Sequence, residues 1–222
     1  MRRVVVADDD HLMRAGLIEL LAVDGTIHVV GQASTGREAV SVARRLRPDV
    51  VLMDVRMPDM DGISATARLT VDVPDTKVLV LTTFDEDEYV FGALRSGASG
   101  FLLKRTRQEE LIAAVHTIAE GESLLSPSVT RRVIDRLAQQ PVPQLAATAL
   151  LADLTVRERQ VFDLLARGLS NREIAAALAV EESTIRTHVK RVLAKLQLRD
   201  RIQAVIYAYE NGLMVAGRTE LT

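Results

Sequence analysis

Val50-Val51-Leu52-Met53-Asp54-Val55-Arg56-Met57-Pro58-Asp59-Met60-Asp61-Gly62 is the stretch that decides the fold. An apolar, partly β-branched run that stops on a carboxylate and is then broken by Pro58 and Gly62 reads as the central strand of a parallel sheet. Outward from it, Val4-Val5-Val6-Ala7 ends on Asp8-Asp9-Asp10, Val78-Leu79-Val80-Leu81 on Thr82-Thr83, and Phe101-Leu102-Leu103 on Lys104. The carboxyl ends of strands in an open α/β sheet form its binding crevice, so Asp8, Asp9, Asp54, Thr82 and Lys104 are predicted to converge.

Helical stretches over 12–22, 37–46, 64–69, 86–96 and 108–120 alternate with these strands, which predicts a doubly wound parallel sheet. After Thr155 no strand pattern survives, and a chain of 222 residues, 48% hydrophobic and 26% charged, suits two small globular domains. The expected division is a first domain over 1–121, a linker over 122–153 with a helix at 128–138, and a second domain over 154–216. Gln139-Gln140-Pro141-Val142-Pro143 cannot continue the linker helix. Net charge is −2, with the first half acidic and the second basic, so the second half is the candidate for a polyanionic partner. There is no cysteine, which excludes disulfides and thiolate metal sites and fits a reducing compartment. No stretch reads as a signal peptide or membrane span, so a soluble cytoplasmic protein with no membrane partner is expected.

The ligand types at the strand ends define a chemistry. Asp8 and Asp9 beside Asp54 make a hard-oxygen site suited to Mg²⁺, with room for a phosphoryl group. A carboxylate nucleophile can accept that group as an acyl phosphate, Lys104 can pair with its oxygens, and the Thr82 hydroxyl can donate to one. One residue of Asp8-Asp9-Asp10 is expected to cap the helix beginning near His11; three exceed that need.

In the second half, Thr155-Val156-Arg157-Glu158 and Ser170-Asn171-Arg172-Glu173 match capping boxes, so each should open a helix. A third helix carries Ile185, Val189, Val192, Leu193 and Leu196 at core spacing. Opposite that stripe lie Ser183, Arg186, Thr187, Lys190 and Ala194, flanked by Thr184, His188, Arg191 and Lys195. A basic, hydrogen-bonding face on the helix after a short turn suits the DNA major groove. Asp200 can cap a last helix whose Ile202, Val205, Ile206 and Tyr209 pack on the core or partly on a second copy.

Asp8-Asp9, the segment from Met53 to Gly62, Thr82 and Gly97-Ala98-Ser99-Gly100-Phe101-Leu102-Leu103-Lys104 together resemble the receiver domain of two-component response regulators over residues 2–120. Residues 155–214 resemble the LuxR-type DNA-binding domain. The combination is similar to the NarL/FixJ subfamily of transcriptional response regulators. The resemblance implies a flavodoxin-like five-stranded receiver followed by an all-α four-helix helix-turn-helix domain, a regulator and not an enzyme. It implies phosphorylation of Asp54 by a partner histidine kinase, with Mg²⁺ held by Asp8, Asp9, Asp54 and the backbone carbonyl of Arg56. Thr82 and Lys104 would contact the phosphoryl group, and Phe101 would be the aromatic switch. It further implies Arg186, Thr187 and Lys190 at base edges or nearby phosphates, and His188 and Lys195 on the DNA backbone. The phosphorylated homodimer would form through the final helix and read inverted-repeat promoter sites.

Arg105 stands where many receivers carry proline, Asp10-His11 where the subfamily more often has His-Pro, and Glu181 where a serine cap is frequent. Two rival readings share some of these features. An aspartate-nucleophile phosphatase leaves the helix-turn-helix unexplained, and a phosphorylation-independent DNA-binding regulator leaves unexplained the set of Asp8, Asp9, Asp54, Thr82 and Lys104.

Overall fold

The computed structural model describes residues 1–83, 87–121 and 151–214. The expected linker helix over 128–138 and the break at Pro141 lie outside the described residues. The chain divides into two compact units, Met1–Leu125 and Ser126–Thr222.

The first unit alternates β1 (Arg2–Ala7), α1 (His11–Ala22), β2 (Ile27–Ala33), α2 (Gly36–Leu46), β3 (Val50–Asp54), α3 (Gly62–Asp72), β4 (Lys77–Thr82), α4 (Asp87–Arg95), β5 (Gly100–Leu103) and α5 (Gln108–Ala119). The strands are parallel, in the order β2-β1-β3-β4-β5. β3 is central and buried throughout, as its unbroken apolar run requires. Val4, Val6, Leu52, Leu79 and Leu81 meet Leu17 and Leu21 of α1 and Leu111, Val115 and Ile118 of α5 in one core layer. Val5, Val51, Met53, Val78 and Val80 alternate with them and are fully buried as well.

β2 carries no apolar run, because His28, Gly31 and Gln32 interrupt it, and as an edge strand only Ile27 and Ala33 are buried. Gly31 answers a close approach: a Cβ there would lie 2.8 Å from Leu46 and 2.9 Å from Val42 on α2. α3 runs beyond the expected 64–69 at both ends. Asp61 caps it by accepting from the Ser64 N–H at 2.7 Å, and the Thr66 and Thr70 hydroxyls turn inward onto the Gly62 and Thr66 carbonyls, so these threonines do not break it.

The loop from β3 to α3 folds tightly over the strand end. Val55 is buried, Asp59 takes a left-handed φ of 64°, and the Gly62 N–H returns to the Val55 carbonyl at 2.8 Å. A Cβ on Gly62 would fall 1.9 Å from the Asp54 carbonyl oxygen, so only glycine lets α3 begin this close to β3.

The second unit is all-helical among its described residues: α6 (Val156–Ala166), α7 (Asn171–Leu178), α8 (Glu182–Lys195) and α9 (Arg201–Glu210). Both capping boxes form, Thr155 with Glu158 and Ser170 with Glu173, and Asp200 caps α9 by accepting from Ile202 and Gln203. The α7–α8 connection is short and turns through Ala179 at φ 52°. Ile185, Val189 and Val192 of α8 are buried with Val161, Phe162, Leu165, Ile174, Ala204 and Ala208, and Leu193 and Leu196 pack against that cluster.

Two expected site regions have partners within the chain. Lys195, expected on the DNA backbone, is 36% exposed, and its ammonium donates to Glu158 Oε2 at 2.6 Å and to the Asp153 carbonyl at 3.0 Å. Helical spacing put it beside the polar face, but the buried carboxylate at the start of α6 is the nearer anion. Ile202, Val205, Ile206 and Tyr209, expected to pack on the core or partly on a second copy, are 2 to 6% exposed in the single chain. Amphipathic spacing shows that a face is covered without showing what covers it.

Lys195, and then the Thr155 N–H, hold the Glu158 carboxyl down to about 2 from an ordinary 4.5. A carboxyl that binds protons less readily when folded adds stability that is complete above its unfolded value and is lost as pH falls toward the folded one. Glu158→Gln, which keeps a capping side chain but not the charge, is expected to lower the unfolding temperature of the second unit at pH 7. The gap to the wild type narrows progressively below about pH 4.5, which calorimetry of the full chain across pH would show. Gly62→Ala is expected to cost the first unit about 1–3 kcal/mol in urea unfolding, because the new methyl collides with backbone rather than with a side chain that can move.

Candidate functional site: an acidic strand-edge cluster and a basic helix face

The register of the sheet brings the predicted residues together. Ala7 pairs with Met53, Asp54 with Leu81, and Thr82 with Leu103, so Asp8, Asp54, Thr82 and Lys104 emerge side by side along one edge. One oxygen each from Asp8, Asp9 and Asp54 lies within 4.8 Å of the others. Asp8 and Asp54 are buried and Asp9 is exposed, so the cluster is open on one side.

Asp10 serves as the N-cap of α1, accepting from the Leu12 and Met13 N–H groups, which leaves Asp8 and Asp9 to the cluster. Those bonds hold the Asp10 carboxyl below its ordinary range. Asp8 Oδ1 accepts from the Asp10 N–H at 3.0 Å, and Arg14 donates to the Asp8 carbonyl at 2.5 Å. Arg14 was not legible as a site neighbour, since only the position of α1 over the end of β1 brings it there.

Lys104 lies between the two buried carboxylates, its Nζ 2.7 Å from Asp8 Oδ2 and 3.1 Å from Asp54 Oδ2. Asp54 Oδ1 accepts from the Val55 N–H at 2.8 Å, which fixes the plane of the carboxylate. Burial pushes the Asp54 carboxyl above its ordinary range; Lys104 opposes that shift and Asp8 adds to it. For Lys104, burial works against the charge, but the hydrogen bond to Asp8 and the charges of Asp54 and Asp8 outweigh it and raise the ammonium. Three carboxylates against this ammonium leave a surplus of negative charge among hard oxygen donors, the chemistry a small divalent cation requires.

Thr82 is fully buried and its carbonyl accepts from the Lys104 N–H at 2.8 Å, while Phe101, 2% exposed, pairs with Val80 from β5. Arg105 follows Lys104 in a turn closed by the Thr106 N–H on the Leu103 carbonyl at 2.9 Å. Arg56 lies two residues beyond Asp54, and its guanidinium donates to the Tyr89 hydroxyl of α4 at 2.7 Å.

In the second unit, Ser183, Thr184, Arg186, Thr187, Lys190, Arg191 and Ala194 are all exposed on α8. Arg186 pairs with Glu182 at 2.9 Å, one helical turn back, and Thr187 donates to the Ser183 carbonyl. His188 is half-buried, with Nδ1 enclosed. Glu181 stands at the N-cap without a capping bond and accepts from the Ser183 hydroxyl at 3.2 Å. Among the described residues, no helix is long and apolar enough to cross a membrane.

Residues 4–116 match the response regulator receiver domain, and residues 152–208 match the bacterial regulatory proteins of the luxR family. The response regulator protein VraR of Staphylococcus aureus is 39% identical over 212 residues, 96% of this chain and 98% of VraR. Among solved structures, the response regulator ChrA of a heme-sensing two-component system is 34% identical, with a TM-score of 0.52, over 96% of this chain and 98% of that one. The signal receiver domain of a NarL response regulator from Mycobacterium tuberculosis is 40% identical, with a TM-score of 0.53, over 55% of this chain and 98% of that one. A receiver implies a histidine kinase as partner and a LuxR-type domain implies DNA. With its acidic strand-edge cluster and its exposed basic helix, this chain belongs to the NarL/FixJ family of two-component response regulators, transcription regulators rather than enzymes.

Proposed function

We propose that this protein is a cytoplasmic regulator in which phosphorylation of Asp54 by a histidine kinase, at a site holding Mg²⁺, controls dimerisation and promoter binding. The observation that carries this reading is the meeting of Asp8, Asp9 and Asp54 around Lys104 at the strand edge.

Asp54 is the nucleophile. Its carboxylate, oriented by the Val55 N–H, attacks phosphorus. The bond from phosphorus to the kinase imidazole breaks with its electron pair left on nitrogen, and an acyl phosphate forms. Asp8, Asp9, Asp54 and the Arg56 carbonyl would hold the cation. When bound, Mg²⁺ neutralises charge shared between the attacking carboxylate and the phosphoryl oxygens. Lys104, freed from Asp54 once that oxygen is esterified, pairs with a phosphoryl oxygen, and the Thr82 hydroxyl donates to another. The accompanying shift of Thr82 and Phe101 changes the face around β4 and α4.

Output passes to α8. Arg186, Thr187 and Lys190 meet base edges or adjacent phosphates, and Thr184, His188 and Arg191 flank them. Lys195, bonded to Glu158, flanks the same face. A two-fold dimer presents two such helices to an inverted repeat. If α9 supplies the contact, Ile202, Val205, Ile206 and Tyr209 must first be uncovered, so the phosphorylated state has to prefer the open arrangement by differential stability.

With a small phosphodonor and Mg²⁺, the wild type is expected to gain one phosphoryl group, to dimerise, and to bind duplex DNA on the order of 10-fold more tightly; Asp54→Asn does none of these. Mass spectrometry, solution mass and DNA titration read the three effects, and phosphorylation at Asp54 without either later change would leave the receiver with a different output. Lys190→Ala is expected to weaken binding by about 1 kcal/mol or more across sequences and to lower the salt slope by roughly one. Unchanged affinity and slope would remove Lys190 from the interface.

A further inference from the structure

One cation on the exposed side of α8 carries a buried carboxylate with it. Thr184, His188, Arg191 and Lys195 recur at helical spacing, so Lys195 continues the row that flanks Arg186, Thr187 and Lys190. Its side chain is 36% exposed, but its ammonium lies 2.6 Å from Glu158 Oε2 and donates to the Asp153 carbonyl at 3.0 Å. The Glu158 side chain, in the first turn of α6, is 5% exposed. Its Oε2 also accepts from the Thr155 N–H at 2.9 Å and the Thr155 hydroxyl at 3.0 Å, which fixes the carboxylate in place. A carboxyl held down to about 2 is ionised at pH 7, so the pair is charged on both sides. Lys190, exposed on the same helix, has no bonded carboxylate among the described residues.

DNA attracts a bare ammonium as a unit charge, and each phosphate so neutralised releases condensed counterions. An ammonium in contact with a fixed carboxylate presents no net charge, so its pull fades beyond contact range and adds nothing to that release. Lys190 and Lys195 thus stand on one helix with different electrostatic reach. We propose that Glu158 is a positioning residue that sets the protein's sequence-independent affinity for DNA: by pairing with Lys195 it withholds one positive charge from the attraction of α8 to the phosphate backbone. The inference rests on the reading of α8 as the DNA-facing helix. The carboxylate that caps α6 and stabilises the second unit also restrains DNA binding, so removing its charge moves stability and affinity in opposite directions. A purely structural role for Glu158 predicts no gain in affinity.

The test titrates the full chain, with a small phosphodonor and Mg²⁺ in every arm, against a mixed-sequence duplex at pH 7 over a series of salt concentrations. Glu158→Gln keeps an acceptor for Thr155 and loses the charge. It is expected to bind more tightly at low salt and to steepen the slope of log affinity against log salt by roughly one, an extra loss of about three- to fourfold between about 50 and 200 mM. Glu158→Gln combined with Lys195→Met removes a pair of no net charge and is expected to keep the wild-type slope. A Glu158→Gln slope equal to the wild type would overturn the proposal. So would a double variant whose slope is shallower than the wild type by roughly one, since Lys195 would then already act as a free cation. Replacing both members of an ion pair leaves no buried charge unpaired, so the double variant decides the matter even if Glu158→Gln alone fails to fold. Lys190→Ala separates this from failure of the underlying reading: if it too leaves affinity and slope unchanged, α8 does not face DNA and both conclusions fall.

Discussion

Asp8 and Asp54, buried at the ends of adjacent strands, share the ammonium of Lys104. Burial disfavours each charge, and one lysine does not balance two buried carboxylates with Asp9 beside them. Such a cluster is held only because the sheet holds it. β1, β3 and β4 are packed on both faces by side chains with almost no exposure, so their ends cannot move apart to relieve the repulsion. The stability of the core is thus what maintains an edge chemically prepared for a cation and an incoming anion.

The loop over that edge obeys the same constraint. Gly62 starts α3 against the Asp54 carbonyl, Val55 fixes the carboxylate plane through its N–H, and Arg56 reaches across to Tyr89 on α4. α4 is therefore joined to the site by a side-chain contact as well as by backbone. The second unit uses a different economy. The starts of α6, α7 and α9 are secured by hydroxyl and carboxylate caps, and Lys195 and Glu158 tie the end of α8 to the start of α6. This leaves Arg186, Thr187, Lys190 and Arg191 outside the core on a helix whose buried stripe is fully used.

Much of this was legible because it is local. Four of the five strands announce themselves by apolar runs ending on polar residues, and β2 does not, since an edge strand needs little burial and its sequence records little. Caps at Thr155, Ser170 and Asp200 depend on side chains bonding backbone two or three residues away. Arg14 at Asp8, Lys195 at Glu158 and Arg56 at Tyr89 were not legible, because each long side chain chooses among anions or rings that only packing brings near.

The sequence by itself determined that a parallel sheet ends on aspartates, threonine and lysine, that a helical unit with a basic face follows, and where α6, α7 and α9 begin. These features follow from backbone preference, hydrophobic period and capping, which act over a few residues. Only the tertiary structure decided which acid caps α1, which oxygens Lys104 meets, that Lys195 reaches Glu158, and that the apolar face of α9 is covered within the chain. Those outcomes depend on distances between groups far apart along the chain, and such distances exist only once the units have packed.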